Sequence, residues 1–199
     1  MKAVHLGMGA VLAIMLGGCG FNLLPAVDIS VTSNPSDLSY AAKTDATTGV
    51  TTYTLTPNQL VFTAQRGSLG MTVETFKVEF RDSSGQPITP GDNSVSGNVG
   101  VTVGPGLSCP GSTTTATPCD LSSKDVQYVT GAPTASVPVN LMSADMAVAN
   151  YAAWQHSETR NGWGADVTFS GTASNGMKAS FTKRFNVAIL TASSNGGLQ

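Results

Sequence analysis

Alternation of apolar and polar residues runs through most of the chain and predicts an all-β protein. Val27, Ile29 and Val31 alternate with polar neighbours, which is the period-two pattern of a half-buried strand. Segments of the same kind recur between turn-forming residues such as Pro57-Asn58. The polar stretch 42–49 is predicted to be a loop. The predicted strands cover residues 27–32, 50–56, 59–64, 71–81, 99–103, 126–129, 135–141, 165–173 and 177–189.

The apolar residues change phase inside the predicted strand 71–81. They have odd numbers at its start (Met71 and Val73) and even numbers from Phe76 onward. A regular strand cannot point both sets at one core, because successive side chains face opposite sides. We therefore predict a β-bulge at Glu74-Thr75, which restores a single inward face and re-aims Glu74.

The apolar residues of the last two predicted strands indicate how these strands pair. A two-residue turn between them would set apolar side chains against polar ones throughout. A three-residue loop, 174–176, instead places Phe169 opposite Phe181 and brings both apolar faces together. We predict this loop, with Gly176 in the left-handed conformation, and we expect Met177 on the same inward face as Phe181.

One segment, Ser143 to Trp154, has helical character. Ser143 can cap the first turn, and Asp145 lies where the helix dipole favours an anion. At about three turns the helix would be marginal alone, so it must pack on a sheet. The predicted apolar stripe comprises Met146, Ala149, Ala153 and Trp154.

The N-terminus has the layout of an export signal. Lys2 precedes an apolar run from Val4 to Leu16, and small residues then lead to Cys19. The run is shorter than the roughly 20 residues that a membrane-spanning helix needs. The sequence Leu16-Gly17-Gly18-Cys19 resembles the lipobox of bacterial lipoproteins.

That resemblance implies cleavage after residue 18 and acylation of Cys19, so that residues 1–18 are a signal peptide and residues 19–25 a short tether. The protein would then be held on the cell membrane or the outer membrane, facing the periplasm or the exterior. Gly20 is not the Asp that marks inner-membrane retention in some lipoproteins, which favours the outer membrane where two are present. An ordinary secretory signal without acylation remains the alternative.

Two further cysteines, Cys109 and Cys119, lie in a Ser-, Thr- and Pro-rich loop that we expect over 104–123. An even pair in an exported protein favours a disulfide, which we predict here. Free thiols or metal ligands are the alternatives. A zinc site needs about four ligands, and the mature chain offers only one histidine, His156.

Charge and composition narrow the range of functions. The chain has 10 basic and 12 acidic residues, and loss of the predicted signal removes Lys2 and no acid, so the mature charge is about −3. The sole adjacent basic pair is Lys183-Arg184. This argues against a nucleic-acid partner or a polybasic surface. We predict no cofactor, because glycine-rich stretches such as Gly104-Pro105-Gly106 lack a phosphate-loop ending. We predict no metal, because one mature histidine and two cysteines are too few for a zinc site.

A turn motif points to a fold family. Strand 71–81 is followed by Asp82-Ser83-Ser84-Gly85-Gln86-Pro87 and then Ile88. Asp-x-x-Gly-x-Pro between a strand and an aliphatic residue resembles the hairpin of bacterial immunoglobulin-like domains from surface proteins and adhesins. The resemblance implies an immunoglobulin-like antiparallel β-sandwich, and we place it at residues 26–192 as a single domain with a short helix and a flexible tail, 193–199.

Candidate chemistry is sparse. His156 would have to serve any Ser-His-acid triad, and no Gly-x-Ser-x-Gly elbow is present. Asp82, Asp92 and Asn93 lack the spacing of an EF-hand. We therefore predict that the protein is not an enzyme.

Tyr151, Trp154 and Trp163 form the one aromatic concentration of the sequence. With His156 and Arg160 they could bind a sugar or peptide. The alternative is that both tryptophans fill one end of the sandwich core.

The sequence thus predicts an anchored envelope lipoprotein with about nine or ten strands and a structural or protein-binding role. A module that binds carbohydrate or peptidoglycan through the three aromatic residues is the second hypothesis.

Overall fold

Eleven strands and one helix form the part of the chain that the computed structural model describes, which is residues 26–88, 95–108, 127–128, 132–155 and 162–191. The predicted all-β fold with one short helix is confirmed. The elements are β1 Ile29–Asn34, β2 Leu38–Thr44, β3 Thr51–Leu55, β4 Asn58–Ala64, β5 Met71–Arg81, β6 Val95–Val103, β7 Leu107–Ser108, β8 Gln127–Tyr128, β9 Thr134–Val139, α1 Ala144–Gln155, β10 Gly164–Ala173 and β11 Lys178–Thr191.

Two sheets form the sandwich. The smaller has the order β1-β4-β9, and the larger has the order β3-β2-β11-β10-β5-β6. Strands β1-β4-β9 correspond to A-B-E of an immunoglobulin-type sandwich, and β11-β10-β5-β6 correspond to G-F-C-C′. All pairs are antiparallel except β2 with β11, which run parallel. The hairpin β2–β3 lies between A and B in sequence and widens the larger sheet beyond G.

The core lies between the two sheets and is centred on three phenylalanines. Phe62 of β4 meets Phe169 of β10 edge-on, with ring centroids 5.2 Å apart. Phe169 stacks on Phe181 of β11 at 5.4 Å. Such aromatic pairs contribute about 0.5–1.5 kcal/mol beyond the burial of their area. Phe62 and Phe169 are completely buried, so these three rings hold the sheets face to face.

The bulge in β5 is present at the predicted residue. Ser170 of β10 pairs with Thr75, and the next residue, Gly171, pairs with Val73, so Glu74 is the extra residue. The pairing of β5 with β6 shifts at the same point. A Cβ on Gly171 would overlap the carbonyl oxygen of Thr72. Glycine is therefore needed opposite the bulge, where the two backbones come close.

The hairpin between β10 and β11 also has the predicted register. Phe169 pairs with Phe181, and Gly176 has a φ of 82°. The Ala173 N–H donates to the Met177 carbonyl at 2.8 Å, which closes the three-residue loop. The expectation that Met177 points into the core is wrong: its side chain is 56% exposed, because it lies beyond the last pair of the sheet.

Strand β2 was not predicted, and part of the expected loop 42–49 belongs to it. Leu38, Ser39 and Tyr40 are all buried, so both faces of the strand are covered at its start. The sequence alternates only over Leu38-Ser39-Tyr40, before two alanines, and this run is shorter than the roughly four residues that a strand pattern needs.

The helix α1 begins where the sequence predicts. Ser143 caps it, since its hydroxyl accepts the N–H of Met146 at 3.2 Å. The buried side chains are Met146, Ala147 and Asn150. Of the predicted stripe, Met146 is in the core and Ala149 and Ala153 are half-buried against it, so the most buried positions lie slightly to one side of that stripe. A polar residue, Asn150, occupies a core position that an apolar pattern cannot indicate.

Candidate functional site

Several predicted site residues lie outside the described part of the chain. These are Cys19, Cys109, Cys119, His156 and Arg160. Acylation of Cys19 and pairing of Cys109 with Cys119 therefore stay predictions. The strands that flank residues 109–126 are described: Leu107 of β7 pairs with Tyr128 of β8.

The predicted aromatic group is divided in the structure. Tyr151 and Trp154, both on α1, stack with ring centroids 5.5 Å apart. Tyr53 of β3 meets Tyr151 edge-on at 5.7 Å. Trp163 instead belongs to the hydrophobic core and is only 6% exposed. We call Tyr53, Tyr151 and Trp154 the aromatic cluster, and its three side chains are half-buried.

Buried groups below the aromatic cluster hold it in place. The Tyr40 hydroxyl donates to Oδ1 of Asn150 at 2.7 Å, and this bond joins β2 to α1 through the core. The Tyr40 ring also lies 6.2 Å from that of Tyr53. Burial, followed by the nearby Tyr53 and Tyr151, raises the pKa of Tyr40 far above its usual range. Tyr40 is thus a neutral hydrogen-bond donor at any physiological pH.

The two ends of the sandwich carry different features. We call the end formed by residues 26–28, 65–70, 104–106 and 174–177 the tether end, because the described part of the chain begins there, directly after the predicted tether 19–25. The Leu69 N–H donates to the Ala26 carbonyl at 3.1 Å. The opposite end, with α1, the hairpin β2–β3 and the last residues of β11, is the helix end. Strands β1 and β9 run from the tether end to the helix end, and β4 runs back.

Exposed apolar side chains are concentrated at the helix end. Among the described residues, Val50, Val148 and Leu190 lie there and are 59%, 45% and 46% exposed. Val148 is on the same helix as Tyr151 and Trp154. The fourth large exposed apolar residue, Met177, lies at the tether end. The helix end therefore combines apolar and aromatic surface, which is the composition that favours contact with another molecule.

The outer face of the larger sheet is polar. Glu74, which the bulge turns outward, accepts a hydrogen bond from the Thr172 hydroxyl at 2.6 Å. Lys178 pairs with Glu74 at 3.1 Å and donates to Thr172 at 2.8 Å. The Thr172 bond, followed by the Lys178 bond, lowers the pKa of Glu74. Neighbouring side chains of the sheet thus bind the Glu74 carboxylate, and its outward position is explained without a ligand.

A shallow groove of about 360 Å³ lies beside this network, where β5 meets β6. Hydroxyls, an amide and one ammonium line it together with the apolar ring of Phe76. Lys77, its single charged residue, pairs with Glu79 at 3.2 Å. The lining residues are Thr75, Phe76, Lys77, Ser96, Gly97, Asn98 and Ser170.

Metal-ligand groups and membrane-crossing helices are both missing from the described residues. They contain no group of three or more His, Cys, Asp or Glu side chains that could hold a metal ion. Within the same ranges, no helix has the length and hydropathy to cross a membrane. The sequence pattern did not indicate that Tyr53 belongs to the aromatic cluster, because a tyrosine in an alternating strand gives no sign that a distant helix packs on it.

Comparison with known proteins gives no family. A scan against protein-family descriptions found no match, and a search of curated proteins found none either.

Proposed function

We propose that this protein is a membrane-anchored lipoprotein of the bacterial cell envelope, whose immunoglobulin-like sandwich has a non-enzymatic, structural or protein-binding role. Residues 1–18 would be the signal peptide, and Cys19 would carry the acyl chains. Cys109 and Cys119 would form a disulfide in the same oxidising compartment.

The observation that carries the proposal is the position of the fold relative to Cys19. Among the described residues, the first backbone hydrogen bond of the sandwich involves Ala26, seven positions after Cys19. The Asp28 N–H then donates to the buried Ser68 hydroxyl at 2.8 Å. A folded domain that begins directly behind a lipobox-like sequence is the arrangement expected of a protein held close to a bilayer.

Metabolic labelling with palmitate tests the anchor. We expect the wild-type chain to take up label and to sediment with membranes, and the Cys19→Ala variant to do neither. Cys109→Ala is the matched control, since it removes one sulfur and keeps the lipobox. A Cys19→Ala protein that stays wholly with the membranes would contradict the anchor.

The helix end is the surface that best fits a protein partner. It carries Val50, Val148 and Leu190 beside the aromatic cluster, and aromatic residues are enriched at interfaces. A photoreactive residue at Val148 should crosslink to one protein in intact cells. The same residue at Met177, on the tether end, should not give that product. Equal products from both positions would contradict a partner at the helix end.

A glycan-binding module is the second candidate, and the stacked pair Tyr151 and Trp154 favours it. A sugar ring could stack on a half-buried indole face. We expect Trp154→Ala to lose retention on cell-wall glycan while its unfolding temperature stays near that of the wild type. Trp163→Ala does not test binding, because Trp163 belongs to the core; it serves as the control for general destabilisation. Unchanged retention in Trp154→Ala would exclude this candidate.

A further inference from the structure

The short tether limits how the domain can lie on a membrane. Cys19 and Ala26 are seven positions apart, so the chain between them spans at most about 25 Å. Strand β5 has 11 residues and runs between the two ends of the sandwich, which makes it roughly 35 Å long. The tether is therefore shorter than the domain.

This difference excludes an inverted orientation. If the helix end rested on the lipid, Ala26 would stand about 35 Å above the surface, beyond the reach of an acylated Cys19. The domain must then either stand on its tether end or lie on one side. The outer face of the larger sheet carries hydroxyls and ion pairs such as Arg81 with Asp166, which lose hydration without gain when they approach hydrocarbon.

The tether end presents an exposed apolar side chain, Met177, close to the start of the described fold at Ala26. Two backbone bonds connect the hairpin loop 174–176 to the start of the fold. The Ser174 N–H donates to Gly70 at 2.8 Å, and the neighbouring Leu69 N–H donates to Ala26 at 3.1 Å. Met177, 56% exposed, follows the loop directly. A methionine in this position can enter the boundary between headgroups and acyl chains, where burial of its apolar surface is favourable.

We infer that the tether end is a lipid-contacting surface, with Met177 at the bilayer interface and the helix end held away from the membrane. This inference rests on the proposed acylation of Cys19. Its partner is the lipid surface to which that anchor attaches. The orientation presents the aromatic cluster, Val50 and Val148 outward.

Quenching by brominated lipid tests the orientation. The full-length chain is produced in a host that acylates lipoproteins, reconstituted into vesicles of phosphatidylcholine and phosphatidylglycerol, and collected by flotation. Met177→Trp is compared with two variants at exposed positions: Ser180→Trp on the outer sheet face and Val50→Trp at the helix end. Emission above the wild-type level reports the added indole. Thermal unfolding of each variant verifies that it folds.

We expect Met177→Trp to lose most of its added emission in brominated vesicles, and Val50→Trp to lose none. Equal losses at positions 177 and 180 would mean that the domain lies on its outer face and would overturn the inference. No loss at position 177 in floated protein would overturn it while leaving the anchor intact. Wild-type protein that fails to float would overturn the anchor and the orientation together.

Discussion

The tether end and the helix end differ in the kind of contact that stabilises them. At the tether end the bonds are mostly between backbone groups. The Gly106 N–H donates to the Ser68 carbonyl at 2.9 Å, and the Gly106 carbonyl accepts from the Gly67 N–H at 3.2 Å. A Cβ on Gly70 would lie 2.8 Å from backbone atoms of residues 103 and 105. At the helix end, backbone bonds such as that from the Thr56 N–H to the Ser39 carbonyl at 3.0 Å are joined by contacts between side chains, chiefly the bond of Tyr40 to Asn150 and the rings of the aromatic cluster.

This difference bears on what each end can do. The close approaches at Gly70 and Gly106 leave no room for larger side chains at the tether end, which suits an end that the proposed tether would hold close to lipid. An end held by side chains can vary its exposed residues while the buried pair Tyr40 and Asn150 keeps the helix in place. A partner-specific surface is easier to build on such an end.

The largest effect should follow from adding one methyl group at the tether end. In Gly106→Ala the new Cβ would overlap the carbonyl oxygen of Gln65, a backbone atom that cannot turn away. We expect the free energy of unfolding to fall by about 3 kcal/mol, measured by urea titration. Gly162→Ala is the matched control, because no atom of the described residues, apart from its chain neighbours, lies within 4 Å of its Cβ position. Equal stabilities of the two variants would show that the tether end is not tightly closed.

A smaller loss is expected when one hydroxyl is removed at the helix end. Tyr40→Phe leaves Oδ1 of Asn150 buried without its donor, which should cost about 2 kcal/mol. Tyr53→Phe keeps its ring contacts and removes a hydroxyl for which the described part of the chain shows no hydrogen bond, so we expect less than about 0.5 kcal/mol. Similar losses in both, by thermal unfolding, would mean that the Tyr40 bond does not hold α1.

The hairpin loop at the tether end allows a finer test. Gly176 has a φ of 82°, and a β-branched residue in this conformation should cost about 1.5 kcal/mol. Ser174, in the same loop, is exposed, so Ser174→Val should change stability by less than about 0.5 kcal/mol. Equal denaturation midpoints for Gly176→Val and Ser174→Val would contradict the backbone-determined loop.

The sequence predicts correctly those features that are determined by residues adjacent in sequence or by a single pair of strands. The phase change before Phe76 locates the bulge, and the two apolar faces around 174–176 determine the register. Ser143 marks the start of α1 because a cap acts within one turn.

Features that depend on distant packing were missed. Strand β2 alternates over only three residues, Leu38 to Tyr40, and Asn150 is buried where it accepts a hydrogen bond from Tyr40 on this distant strand. Trp163 is close to Trp154 in sequence but belongs to the core. Tyr53, on strand β3 and about a hundred positions away, instead contacts Tyr151 in the aromatic cluster. Proximity in sequence is therefore a poor guide to the composition of a binding surface.

The smallest expected effect concerns Glu74, on the outer face between the two ends. Bonds from Thr172 and then from Lys178 lower its pKa below the usual value of 4.5, so this carboxylate stabilises the fold above that value and loses its contribution as the pH falls through the lowered pKa. Thr172→Val removes the larger cause, and we expect the pKa of Glu74 to rise toward its usual value in an NMR titration of the carboxyl carbon. Thr168→Val, on the same strand and face, removes a hydroxyl bonded to Thr182 instead, and should leave the pKa of Glu74 unchanged. Equal shifts in both variants would mean that the sheet face as a whole, and not the bulge network, determines the charge of Glu74.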